Sequence, residues 1–291
     1  MSLLTKFNLA MLLVFSLALV PAGWISHSLL QKSARAQVIQ NARIMMETAM
    51  AMRGYTIKQI KPLLDARLQE QFLPQTVPAY SATEVFNYLR QNYPEYTYKE
   101  ATLNPSNPRD RTVDWEADVV NEFRRDPTRT EIIGERATTD GRSLFLSHPI
   151  QIKDPKCLAC HLTPEEAPKS LVKAYGPSNG FGWKLNEIVG AQIVSVPMSI
   201  PVAMADHAFR TLLASLVGVF VVTLVVLNLL LKFAVIGPLT KLAGMADQVS
   251  RGNMDLPDLE VTGRDEVALL AGSFNRMRIS LQKAMAMLDE A

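Results

Sequence analysis

The sequence predicts an α+β architecture. It has a domain with an antiparallel sheet and a long N-terminal helix, set between two transmembrane helices, and then a C-terminal helical pair. Three observations lead there. Two apolar stretches without a charged side chain, residues 7–25 and 211–231, lie far apart in a chain of 291 residues. The residues between them switch between helical and strand periods around a hairpin signal. Beyond the second stretch, apolar residues recur at helical spacing in two blocks.

Each apolar stretch is long enough to cross a hydrocarbon core of about 30 Å at about 1.5 Å per residue. This divides the chain into a cytoplasmic N-terminus (1–6), a first span (7–25), a central domain (26–207), a second span (208–233) and a C-terminal region (234–291). Ala34-Arg35-Ala36 resembles a signal-peptide cleavage site but lies well past the first apolar run. Pro21 and Trp24 suit a membrane boundary, so the segment is read as an uncleaved anchor.

In the central block, Val38, Ala42, Met45, Met46, Ala49, Met52 and Ile57 keep a helical period, predicting a helix over about residues 37–71 that Pro62 kinks or interrupts. Ser81 is the expected N-cap of a shorter helix, with Glu84 completing a capping box. Residues 96–102 read as a strand, and a helix starts near Asp114 and ends before Pro127. Residues 131–137 and 143–152 flank Asp140-Gly141, a hairpin turn signal. A short helix over 171–175 and a buried strand over 188–196 complete a layout that is PAS-like. After the second span, Pro238 sits just inside a helix with Leu242, Met245 and Val249 on one face. Gly252 marks a linker, and Glu266 opens a second helix, near its positive dipole end, with Leu270, Phe274, Met277 and Leu281.

Both cysteines fall in one string, Cys157-Leu158-Ala159-Cys160-His161. Two thiols three positions apart suit thioether bonds to the two vinyl groups of a porphyrin, and the adjacent imidazole then serves as proximal iron ligand. Chance placement of this pattern is about 1 in 10,000 for a chain of this composition. The rival is a dithiol of the thioredoxin kind, which normally sits between a strand and a helix of a βαβ unit. A zinc site would need ligands from a second Cys/His cluster, and the sequence has none. The expected cofactor is one covalent haem c. Its attachment takes place outside the bacterial inner membrane, which puts residues 26–207 in the periplasm. Lys232 and Lys241 agree with a cytoplasmic C-terminus. The net charge of +2 and the lack of a basic run interleaved with aromatics give no sign of nucleic-acid binding.

The sixth iron ligand has candidates in Met46 and Met50, one turn apart on the same helical face, although a Met-rich core stripe is the more ordinary explanation. His148 is a further candidate, or a core histidine. Arg53, Tyr55 and Lys61 suit haem propionates, or an ordinary surface.

Several separated strings carry a resemblance. Met52-Arg53-Gly54-Tyr55-Thr56, Lys61-Pro62-Leu63-Leu64, Lys99 to Pro105, Asn107-Pro108-Arg109, the haem string with Thr163 to Pro168, Gly182-Trp183-Lys184 and Val196-Pro197-Met198 occur in order. Over about residues 35–200 the chain resembles a bacterial family of PAS-like c-type haem sensor domains, which implies a haem-bearing sensor. The C-terminal region resembles a HAMP domain, which implies a homodimer through a parallel four-helix coiled coil. The expected function is a two-pass sensor in the inner membrane that detects a diatomic gas or redox state. It would signal to a separate cytoplasmic partner, since no output domain is seen before Ala291. The alternative is a membrane-anchored c-type cytochrome for electron transfer; a third reading makes the haem a structural staple and an organic molecule the signal. No paired-carboxylate or Ser/His/Asp constellation points to an enzyme.

Overall fold

A computed structural model describes residues 1–68, 70–139, 141–259 and 263–289. Its helices are α1 (Leu3–Tyr55), α2 (Lys61–Leu64), α3 (Pro78–Leu89), α4 (Asp114–Arg125), α5 (Leu158–His161), α6 (Lys169–Tyr175), α7 (Ser199–Leu230), α8 (Gly237–Ser250) and α9 (Glu266–Asp289). The chain divides into two compact units: His27–Ala208, and Met1–Ser26 with Phe209–Ala291.

The first of these is built on a four-stranded antiparallel sheet of β1 (Thr97–Thr102), β2 (Ile132–Thr138), β3 (Gly141–Gln151) and β4 (Ile188–Pro197), ordered β1-β4-β3-β2. β2 and β3 form the expected hairpin, paired from Ile132 with Ser147 to Thr138 with Gly141. Asp140 of the turn signal lies outside the described residues. β4 is buried from Ile188 through Val196, as a strand covered on both faces should be. The two-residue period separates the faces. Tyr98, Leu144, Leu146, Val194 and Val196 pack with Val38, Ala42, Met46 and Ala49 of α1 and with Phe86 of α3. Ala101, Phe145, Ala191 and Ile193 pack with Val119, Val120 and Phe123 of α4. Gly190 is required where β4 meets β1, since a Cβ there would overlap the Ala101 carbonyl.

One local expectation is met with a difference in detail and one is corrected. The helix expected over 37–71 is α-helical only to Tyr55, because Pro62 lacks an N–H and its ring opposes the carbonyl four residues back. The chain widens into a π-turn over Thr56–Ile60 before α2. The same device precedes Pro238, where a π-turn covers Leu231–Ile236. Ser81 is not an N-cap: α3 begins earlier, at Pro78, whose fixed φ suits a first helical position. Ser81 Oγ donates instead to the Gln75 and Val77 carbonyls at 3.2 and 3.4 Å, and Glu84 accepts from Arg109 at 2.5 Å.

In the other unit, the apolar stretches of α1 and α7 keep their side chains exposed, as lipid-facing helices require. Asn8 and Asn228 exchange amide hydrogen bonds at 3.0 and 2.7 Å, and the Phe15 and Phe220 rings lie 3.9 Å apart. Met245 and Val249 of α8 pack with Ala271 and Phe274 of α9. Of the expected α9 face only Phe274 is buried. Leu270, Met277 and Leu281 are 46%, 50% and 42% exposed, because one helical partner covers only one stripe.

Candidate functional site

The Cys157–His161 string follows β3 as a tight turn. Pro155–Cys157 form a 3₁₀ turn, started by the Asp154 carboxylate accepting from Lys156 N–H at 2.9 Å, and α5 continues it. A helical turn puts residues three apart on one face, so Cys157 and Cys160 lie side by side. Both are half-buried free thiols. Burial pushes both up from the ordinary thiol range, while Lys61 opposes this at both, and Arg53 does so at Cys157. The end of α1 and the start of α2 therefore bring positive charge to the cysteines.

His161 is held by a chain segment distant in sequence. Its Nδ1 lies 2.7 Å from the Gly180 carbonyl. A carbonyl only accepts, so Nδ1 carries the proton and Nε2 keeps a free lone pair. Burial pushes the imidazole below its ordinary value, which keeps it neutral. The Trp183 ring stacks on the imidazole at 3.9 Å and 11°, and Trp183 N–H donates to the His161 carbonyl at 3.2 Å. Gly180 itself is fixed by Asn104, whose Oδ1 accepts its N–H at 3.2 Å. Its φ of +85° and the closeness of Ser106 leave no room for a side chain.

These residues fit a covalent haem. The donor set is two adjacent thiols and a neutral imidazole whose second nitrogen is oriented by a carbonyl, as metal-bound histidines usually are. The buried Ser106 hydroxyl beside Gly180 has no hydrogen-bond partner among the described residues, so a polar atom is left for a bound group.

The other candidates fall elsewhere or are already engaged. Arg53 is bonded to both oxygens of Glu100, which also accepts from Tyr98 Oη at 2.7 Å. Burial beside Glu100 pushes the Tyr98 phenol far up, so it remains a donor. Tyr55 is 51% exposed. Met46 is fully buried against the sheet. Met46, Met50 and His148 line a cavity of about 570 Å³ that none of Cys157, Cys160 and His161 lines. His148 lies 3.7 Å from Glu131, which is also bonded by Arg43 at 2.9 Å. Ser106 and Gly180 were not singled out by the sequence, and Asn104 and Trp183 enter it only within the motif strings.

Residues 31–197 match the Tll0287-like family, and residues 231–283 match the HAMP domain. The methyl-accepting chemotaxis protein CtpM of Pseudomonas aeruginosa is 39% identical over 92 residues, which are 30% of this chain and 16% of that protein. The chain thus spans about a sixth of the length of that relative. The crystal structure of the cyanobacterial heme-protein Tll0287 aligns with a TM-score of 0.43 at 15% identity, over 55% of this chain and 94% of that one.

Proposed function

We propose that this chain, which belongs to the Tll0287-like family, is a membrane-bound signal transducer whose central domain lies in the periplasm and carries one haem c. Cys157 and Cys160 hold the group by thioethers and His161 Nε2 is the proximal ligand. The observation that carries this reading is the neutral His161, fixed through Nδ1 to Gly180 beside two free thiols. When bound there, a haem supplies an iron that takes a diatomic ligand or an electron. The residues around it orient and screen: Trp183 fixes the imidazole plane, Lys61 supplies positive charge, and Arg53 is anchored by Glu100 and Tyr98 on β1.

β4 leads directly into α7, whose apolar stretch ends at the π-turn before α8. A change in packing around His161 is proposed to pass along this route and bias the HAMP pair between two arrangements. Such a bias needs a different interaction energy with each arrangement. The HAMP match and the chemotaxis relative support a signalling role. Exposed Leu270, Met277 and Leu281 support a homodimer through the C-terminal helices. Output goes to a separate cytoplasmic partner, and no enzymatic activity is assigned.

The test is the visible spectrum of the dithionite-reduced full-length protein before and after carbon monoxide. A c-type spectrum that shifts supports gas sensing at an open or displaceable sixth position. A c-type spectrum that ignores the gas supports a fixed sixth ligand, hence redox sensing or the electron-transfer alternative. Absence of haem contradicts the proposal.

A further inference from the structure

We propose that a second cavity, beside β1, binds a small organic carboxylate through Arg136. The cavity holds about 460 Å³, within the range of small-molecule sites, and lies among α3, β1, β4 and the start of α4. None of Cys157, Cys160 and His161 lines it, so the proposal does not rest on the haem reading.

The recognition element is built upward from a glycine. A Cβ on Gly134 would come within 2.5 Å of the Phe145 ring, so only glycine lets that ring lie across β2. Phe145 in turn packs against Trp115, with ring centroids 5.2 Å apart. The Arg136 guanidinium lies over the Trp115 ring, 4.4 Å from its centroid. Stacking fixes the plane of a guanidinium while leaving its N–H edge free to bind. Among the described residues Arg136 has no carboxylate partner, since the adjacent Glu135 is taken by Arg35 and Arg142.

The other charges of the cavity largely cancel. Lys99 is paired with Glu116 at 2.6 Å, and Glu116 also accepts from Val113 N–H. Arg109 is paired with Glu84 at 2.5 Å and lies 3.6 Å from Asp110. Burial pushes the Asp110 carboxyl up to about 6, and the nearby Arg109 opposes that shift only in part. Of the cations that line the cavity, Arg136 and exposed Arg90 are the two without a carboxylate partner among the described residues. Ile193 and Trp115 offer apolar contact, and Ser195 a hydroxyl. A planar carboxylate on an apolar or aromatic body meets this lining: two oxygens for the guanidinium fork, and a body for the aromatic wall.

The test uses the full-length protein in detergent, with benzoate, succinate and benzamide as probes in thermal-shift and calorimetric titrations. Benzoate or succinate is expected to raise the unfolding midpoint and bind. Benzamide, matched to benzoate in shape but uncharged, is expected to bind roughly tenfold more weakly or not at all. Arg136→Gln should weaken the bound carboxylate roughly tenfold, with unchanged circular dichroism and visible spectrum, and Arg136→Lys should fall between. Three results would each overturn the proposal: neither carboxylate shifts the midpoint at millimolar concentration, benzamide matches benzoate, or Arg136→Gln binds as the parent does. The benzoate–benzamide comparison needs no variant and stands if a substitution fails to fold.

Discussion

The chemistry of the candidate haem site rests on a few residues with sharply different legibility. The thiols and imidazole are adjacent in sequence, and their spacing alone carries the chemistry. Gly180 and Trp183 act only because the chain returns to α5 from about twenty residues away, a tertiary event that no local period encodes. The local sequence offers only the glycine itself, which the structure places at φ +85°, and the Gly182-Trp183-Lys184 string. Gly180→Ala forces a side chain into the left-handed region and against Ser106 N, 2.7 Å away, so the carbonyl that orients His161 must move. We predict at least a several-fold fall in haem per chain, measured by absorbance, while Trp183→Phe, which keeps a flat ring, stays near the parent. Asp110 offers a second test. Its folded pKa, about 6, lies above the ordinary carboxylate value, so its charge destabilises the fold at neutral pH. That penalty is complete above about 6 and disappears as pH falls toward 4. Asp110→Asn should therefore stabilise the central domain by about 1–2 kcal/mol at pH 8, with no difference near pH 4 in thermal unfolding.

At the scale of elements, strands were read more securely than helix ends. The continuous burial of β4 is a direct consequence of its central place, covered on both faces. A helix start misled at Pro78, which opens α3 ahead of the polar residue that looked like a cap, whereas the interruption expected at Pro62 is present as a π-turn. Leu146, fully buried between α1 and the sheet, is part of the packing that fixes α1. Leu146→Ala should cost about 2–5 kcal/mol of the central domain's stability, read by denaturant or thermal unfolding. On α1, Arg35 and Arg43 reach Glu135 and Glu131 at 2.9 Å each, and these pairings hold both carboxyls below the ordinary range. Such groups stabilise above their unfolded pKa and lose that contribution as pH falls through the lowered folded value. The exposed geometry keeps each effect small.

For the whole molecule, the central domain carries the candidate sensor chemistry, and the C-terminal helices leave an apolar stripe uncovered. That stripe was legible as a helical face, but its burial was not, because α8 covers only the side of α9 that carries Ala271 and Phe274. Replacing Leu270 and Met277 together with Asp should abolish the proposed homodimer, measured by crosslinking or light scattering in detergent, and leave the visible spectrum of the central domain unchanged. The proposed sensor depends on a covalent cofactor. The most direct measurement is whether haem stays with the polypeptide after full denaturation and acid–acetone extraction of full-length protein made with haem-maturation machinery. Haem should be retained by the parent chain and lost from the Cys157→Ser, Cys160→Ser double variant. Haem extracted freely from the parent, or no haem incorporated at all, would contradict the proposal.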